Sequence, residues 1–149
     1  MATIRVTKYY DFEMAHALWN YDGLCKNIHG HTYKLYVTVM GEPISDPNDP
    51  KFGMVIDFGD LKRIVKTEIV DKFDHSLVIY KDAPHEKLLE LNEMYERHHV
   101  VDFQPTCENL VVHFANTIIS LLPKGVKLKN VKLYETVSSS AEWDADDNE

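Results

Sequence analysis

Residues 25–41 read CKNIHGHTYKLYVTVMG, and the fold turns on how this stretch is parsed. Tyr33, Leu35, Val37 and Val39 alternate with polar neighbours, the period-2 pattern of a half-buried strand. At the head of that strand His29 and His31 flank Gly30, and residues i and i+2 of a strand point to one face. Two imidazoles so placed can bite one metal ion. An HxH pair by itself is equally compatible with a chance pairing on a wet strand end.

Immediately upstream, TIRVTKYYDFEMAHAL (3–18) is rich in β-branched and aromatic residues and predicts a strand ending near His16. NYDGLCKN (20–27) is turn-like, so the two strands are expected to pair antiparallel. That arrangement brings His16 to the end of the strand next to His29 and His31. Three neutral imidazole nitrogens with an open fourth position are the donor pattern of a catalytic zinc site, whereas two cysteines are too few for a Cys-rich structural one. Cys25 lies in the turn, four residues before His29. A nearby cation would lower its pKa and supply thiolate; the bland alternative is a small hydrophobe.

Downstream, EPISDPNDPKFG (42–53) holds three of the six prolines and predicts a loop. DFGDLKRIVKTEIVDKF (57–73) predicts a helix with Leu61, Ile64, Val65 and Ile69 on its apolar face and Asp57 or Asp60 as its cap. DHSLVIY (74–80) returns to extended chain, APHEKLLELNEMYERH (83–98) is a shorter helix or an insertion, and HVVDF (99–103) is a strand. QPTCENLVVHFANTIISLLPKG (104–125) is the clearest helix. Thr106 is its N-cap, Leu110, Phe114, Ile118 and Leu121 form its stripe, and Pro123 and Gly125 end it. VKLKNVKLYETV (126–137) alternates into a last strand or strand pair. The acidic end, about 144–149, is expected to be frayed and solvated. Residues 1–149 thus form one α+β domain, in which two helices cover one face of an antiparallel sheet.

Two further constellations carry chemistry. Asp74 precedes His75, and a carboxylate can fix an imidazole tautomer and raise its basicity; equally, Asp74 can simply turn the chain. Glu135 stands in an apolar strand between Tyr134 and Thr136, so it either faces solvent or grips a ligand, and a carboxylate matches the paired N–H groups of a heterocycle. Glu108 falls in the first turn of a helix, where negative charge suits the dipole.

The formal charge of −8 makes the 149-residue chain a poor partner for nucleic acid or anionic lipid. No apolar run approaches the roughly 20 residues of a membrane span. MATIRVTKYY has no signal-peptide pattern, and two cysteines form at most one disulfide, so a reduced, cytoplasmic chain is expected.

The segments FEMAHAL, CKNIHGHTYKL, GMVIDFGDLK, FDHSLV, PTCENLV and LYETVSSSAEW run in order along nearly the whole chain. In them the chain resembles the 6-pyruvoyl-tetrahydropterin synthase superfamily. The three residues between Cys25 and the HGH triplet are similar to its 6-carboxytetrahydropterin branch, which serves queuosine biosynthesis. The resemblance implies a tunnelling fold: a four-stranded antiparallel sheet with two helices on one face, closing into a barrel as trimers that pair into hexamers. It implies Zn2+ on His16, His29 and His31, catalytic Cys25, Asp74, His75 and Glu135, and a pterin pocket with Glu135, Thr106 and Glu108. The implied substrate is 7,8-dihydroneopterin triphosphate. The alternatives are triphosphate elimination to a 6-pyruvoyl product and a metal- or pterin-binding module without turnover. Two features depart from the family pattern: DHSLVIY lacks the Asn that many members carry after the Leu, and the Pro84–His99 stretch is longer than in the smallest members.

Overall fold

The computed structural model describes residues 1–84 and 94–149. β1 (Ile4–His16) and β2 (His29–Gly41) pair antiparallel along their whole length, from Ile4 opposite Gly41 to His16 opposite His29. Both strands alternate, so one face is apolar. Tyr10, Phe12 and Met14 from β1 and Tyr33, Leu35, Val37 and Val39 from β2 are all buried.

Asp57 caps α1 (Phe58–Val65), its carboxylate accepting from the Gly59 N–H at 2.7 Å; Lys51 pairs with its other oxygen. The helix runs on through a π-helical turn (Lys66–Val70) into α2 (Asp71–Phe73). Leu61, Val65 and Ile69, spaced by four, are fully buried against the sheet. This helical segment carries the chain back across the face, so β3 (Ser76–Tyr80) starts beside β1 and runs parallel to it, Met14 opposite Ser76. β4 (His98–Val101) is parallel to β3. The helix or insertion expected within 83–98 falls largely outside the described residues.

α3 (Cys107–Ile119) is capped by Thr106, whose hydroxyl accepts from the Asn109 N–H at 3.2 Å. Leu110, Val111, Phe114, Ala115 and Ile118 fill the core, and the Phe114 ring meets those of Phe12 and Phe73 edge-on. Leu121, expected on the stripe, lies past the helix end and is exposed. β5 (Lys127–Thr136) pairs with β2, and the Val137–Ser138 turn leads into β6 (Ser139–Asp144).

Among the described residues the sheet therefore has six strands in the order β4-β3-β1-β2-β5-β6, and it is mixed, not the four-stranded antiparallel sheet expected. Two causes account for the difference. The α1–α2 crossover forces parallel pairing of β3, and β6 is an edge strand whose Ser-rich sequence lacks the alternation that announces β5. The acidic end also differs from expectation. A 3-10 turn (Ala145–Asp147) folds back, and the buried Lys129 ammonium pairs with Asp144 at 2.7 Å and Asp146 at 2.6 Å.

Candidate metal centre and its surroundings

The β1–β2 register builds the centre. His16 lies directly opposite His29, and His31 is two residues along on the same face as Tyr33. One ring nitrogen from each histidine falls within 4.8 Å of the others.

Backbone carbonyls fix two of the tautomers. His16 Nδ1 is 2.6 Å from the Pro105 carbonyl and His29 Nδ1 is 2.8 Å from the Asn27 carbonyl. A carbonyl only accepts, so both Nδ1 atoms carry hydrogen and donate. Both Nε2 atoms are then lone pairs, and they stand 3.0 Å apart. His31 Nε2 is buried and has no hydrogen-bond partner among the described residues. Two lone pairs facing each other and a third, partnerless imidazole nitrogen within 4.8 Å of them fit a cation that prefers imidazole.

Burial disfavours imidazolium here. His16 is 1% exposed, and desolvation lowers its pKa against the opposing Pro105 hydrogen bond, with His29 adding to the depression. His31 is lowered likewise, first by burial, against the pull of Glu135. Neutral rings are the ligating form. Tyr33, fully buried, floors the cluster with its hydroxyl 3.5 Å from His16 Nδ1, and burial pushes its pKa well up.

Glu135 joins this cluster from β5. Its Oε1 lies 3.4 Å from His16 Nε2 and 3.5 Å from His31 Nε2, and the side chain is 25% exposed. Next to last in β5, the Glu135 side chain thus turns toward the histidines.

Cys25 sits on a 3-10 turn (Leu24–Lys26) and is free and exposed. Its loop is tied down: the Leu18 N–H donates to the Cys25 carbonyl at 3.0 Å, and Gln104 clamps the Trp19 backbone, accepting at 2.9 Å and donating at 2.8 Å. Among the described residues no hydrogen bond or ion pair joins the Cys25 side chain to the histidines or to His75. Cys107 is the inert thiol. It is buried, donates to the Leu133 carbonyl at 3.3 Å, and burial pushes it up to about 11.

Asp74 and His75 form a pair of their own, Oδ1 to Nδ1 at 3.0 Å. Desolvation raises Asp74, but the Glu13 N–H, the His75 hydrogen bond and the charges of His75 and Arg97 outweigh it, and the carboxyl stays below its usual range. His75 lines an open cavity of about 700 Å³ whose walls include Glu13, Ala15, His31, Arg97 and His98. Thr106 and Glu108 stand at the start of α3, next to the Pro105 carbonyl that holds His16.

The sequence-derived residues thus fall into four groups: the histidines with Glu135, the Asp74–His75 pair, Thr106 and Glu108 at the start of α3, and Cys25 on its own loop. The Pro105 and Asn27 carbonyls went unread, because backbone groups leave no residue-type signal. Tyr33 carried one, since it follows His31 by two on the same strand.

A mixed sheet backed by helices on one face, with three histidines gathered at one end where they could hold a metal ion, defines an α+β protein with a candidate metal centre. The chain belongs to the 6-pyruvoyl tetrahydropterin synthase family, whose profile matches residues 5–146. A 6-carboxy-5,6,7,8-tetrahydropterin synthase of Haemophilus influenzae is 33% identical over 141 residues, spanning 93% of this chain and 97% of that one. The human 6-pyruvoyl tetrahydrobiopterin synthase is 36% identical over 116 residues, 76% of this chain and 66% of that one. Among solved structures, an uncharacterized protein of Wolinella succinogenes superposes with a TM-score of 0.75 at 23% identity, over 97% of this chain and 99% of that one. The Caenorhabditis elegans 6-pyruvoyl tetrahydropterin synthase gives 0.67 at 24%, over 97% of both chains. At these identities the two structures speak for the fold alone.

Proposed function

We propose that the chain converts 7,8-dihydroneopterin triphosphate and water into 6-carboxy-5,6,7,8-tetrahydropterin, acetaldehyde and triphosphate, a step of queuosine biosynthesis, with zinc on His16, His29 and His31. The observation that carries the reading is the histidine cluster, with its two Nδ1–H groups tied to carbonyls and its Nε2 lone pairs converging. The name of the Haemophilus influenzae relative supports the choice of product.

When bound, the ion supplies a Lewis acid for the substrate's side-chain oxygens and eases deprotonation beside the ring. Glu135 accepts from the pterin amino group and ring N–H; its partial exposure leaves it reachable. Thr106 and Glu108 line the pterin end. Cys25, as thiolate, removes a proton, and Asp74 holds the His75 ring through Nδ1 so that Nε2 is free to relay one. Among the described residues no hydrogen bond or ion pair joins Cys25 to the Asp74–His75 pair within one chain, and a second copy bringing its own pair to Cys25 would complete the site. Trimers pairing into hexamers are the assembly that the family resemblance implies. A reducing cytoplasm suits an exposed catalytic thiol.

The test is incubation of the zinc-loaded chain with 7,8-dihydroneopterin triphosphate, followed by mass spectrometry. A 6-carboxy product with acetaldehyde supports the proposal. A 6-pyruvoyl product without acetaldehyde supports the second reading, which the human relative's name favours. Pterin bound and never turned over would replace both with a binding module.

A further inference from the structure

His75 adopts φ +57, the left-handed region that a residue with a Cβ rarely occupies. The turn that aims it into the cavity beside His31 must therefore be held from outside. Glu13 of β1 holds one side: its carbonyl accepts from the His75 N–H at 2.6 Å and its N–H donates to Asp74 Oδ1 at 2.9 Å. Arg97 holds the other. Its Nε donates to the Asp74 carbonyl at 3.0 Å, and its Nη2 donates to the same carbonyl at 2.8 Å and to the Asp71 carbonyl at 2.6 Å. These are carbonyls at the end of the α1–α2 segment, where the helix leaves acceptors unsatisfied and carries partial negative charge. The Arg97 backbone is itself fixed, its carbonyl accepting from the Leu77 N–H at 3.0 Å as β4 begins beside β3.

We propose that Arg97 is a positioning residue for the Asp74–His75 pair: by gathering the Asp71 and Asp74 carbonyls in one planar fork, it holds the left-handed turn that presents His75 to the cavity. A lysine, a single point donor, cannot span both carbonyls as a fixed fork can. His99 supplies an internal contrast. It also caps this helix end, donating from Nε2 to the Lys72 carbonyl at 2.5 Å, a carbonyl that Arg97 Nη2 reaches at 3.3 Å, yet among the described residues it makes no hydrogen bond to Asp74 or His75. Plain stabilisation of the helix end would make Arg97 and His99 equivalent; positioning makes them different.

The catalytic half of the inference rests on the role proposed above for His75; the geometric half does not. The test uses the full zinc-loaded chain, 15N-labelled at histidine, as Arg97→Gln, Arg97→Lys and His99→Ala. Long-range 1H–15N spectra read the His75 tautomer, and steady-state kinetics with 7,8-dihydroneopterin triphosphate read kcat and KM. Arg97→Gln is expected to take the His75 ring from one Nδ1–H tautomer to the mixture of a free imidazole. It should also lower kcat by about 10–100-fold, the scale of a roughly 1 Å misplacement, with KM within about twofold. Arg97→Lys should fall between, and His99→Ala should leave the His75 signals in place. Unchanged His75 signals in Arg97→Gln would overturn the proposal, as would a raised KM with normal kcat, which would make Arg97 a substrate contact. Disturbed signals with normal kcat would uphold the positioning and remove His75 from the reaction. If Arg97→Gln fails to fold, Arg97→Lys carries the same comparison.

Discussion

His16 and His29 face each other across β1 and β2 with their Nε2 atoms 3.0 Å apart, while both Nδ1–H groups are committed to backbone carbonyls. Two lone pairs at that distance repel unless a cation lies against them. Purified protein is therefore expected to hold one zinc per chain by elemental analysis. Replacing His16, His29 or His31 with Ala should weaken zinc by more than the about 10–100-fold that follows loss of a group hydrogen-bonded behind a metal ligand. A chelator competition titration measures this.

The same histidines make stability depend on pH with a definite sign. Burial holds the His16 and His31 pKa values below the ordinary 6.5. Above that value both rings are neutral, folded or unfolded, and nothing is lost. As pH falls below it, the unfolded chain takes up protons that the folded one resists, so stability drops through the depressed folded values. Urea midpoints of the metal-free protein should be flat near about pH 7.5 and fall toward about pH 5. Zinc should raise the midpoint at the first pH and lose that effect at the second.

The two cysteines should separate cleanly. Cys25 is exposed, whereas Cys107 is buried, hydrogen-bonded and pushed up to about 11. Under native conditions a thiol reagent should modify one site per chain, Cys25, and reach Cys107 only in denaturant; peptide mapping assigns the sites. Cys25→Ala should abolish turnover and retain zinc. Loss of zinc in that variant would make Cys25 a ligand.

Core and cap carry the scaffold. Phe114 is fully buried among the Phe12 and Phe73 rings, so Phe114→Ala should cost about 3–5 kcal/mol in urea unfolding. Thr106→Ala removes an N-cap and should cost about 1 kcal/mol. A drop in zinc affinity in Thr106→Ala as well would show that the cap also sets the neighbouring Pro105 carbonyl that orients His16.

What the residues announced by themselves was local and periodic. The alternation along 33–39 and before His16 defined two strands, and the spacing of Leu61, Val65 and Ile69 and of Leu110, Phe114 and Ile118 defined two helical faces. Turn chemistry at 20–27 then brought His16 opposite His29, because antiparallel pairing follows from a short connection. The gathering of the three histidines was legible for that reason. The parallel placement of β3 was not, since it depends on where the α1–α2 crossover lands. Nor was β6, whose pairing is with β5 backbone and not written in its serines. The tautomers of His16 and His29 were likewise decided only by the folded chain, because carbonyls 2 and 89 residues away set them. Glu135 could be read as costly in a strand, but its turn toward His16 and His31, like the hold of Arg97 on Asp74, exists only once distant strands are packed side by side.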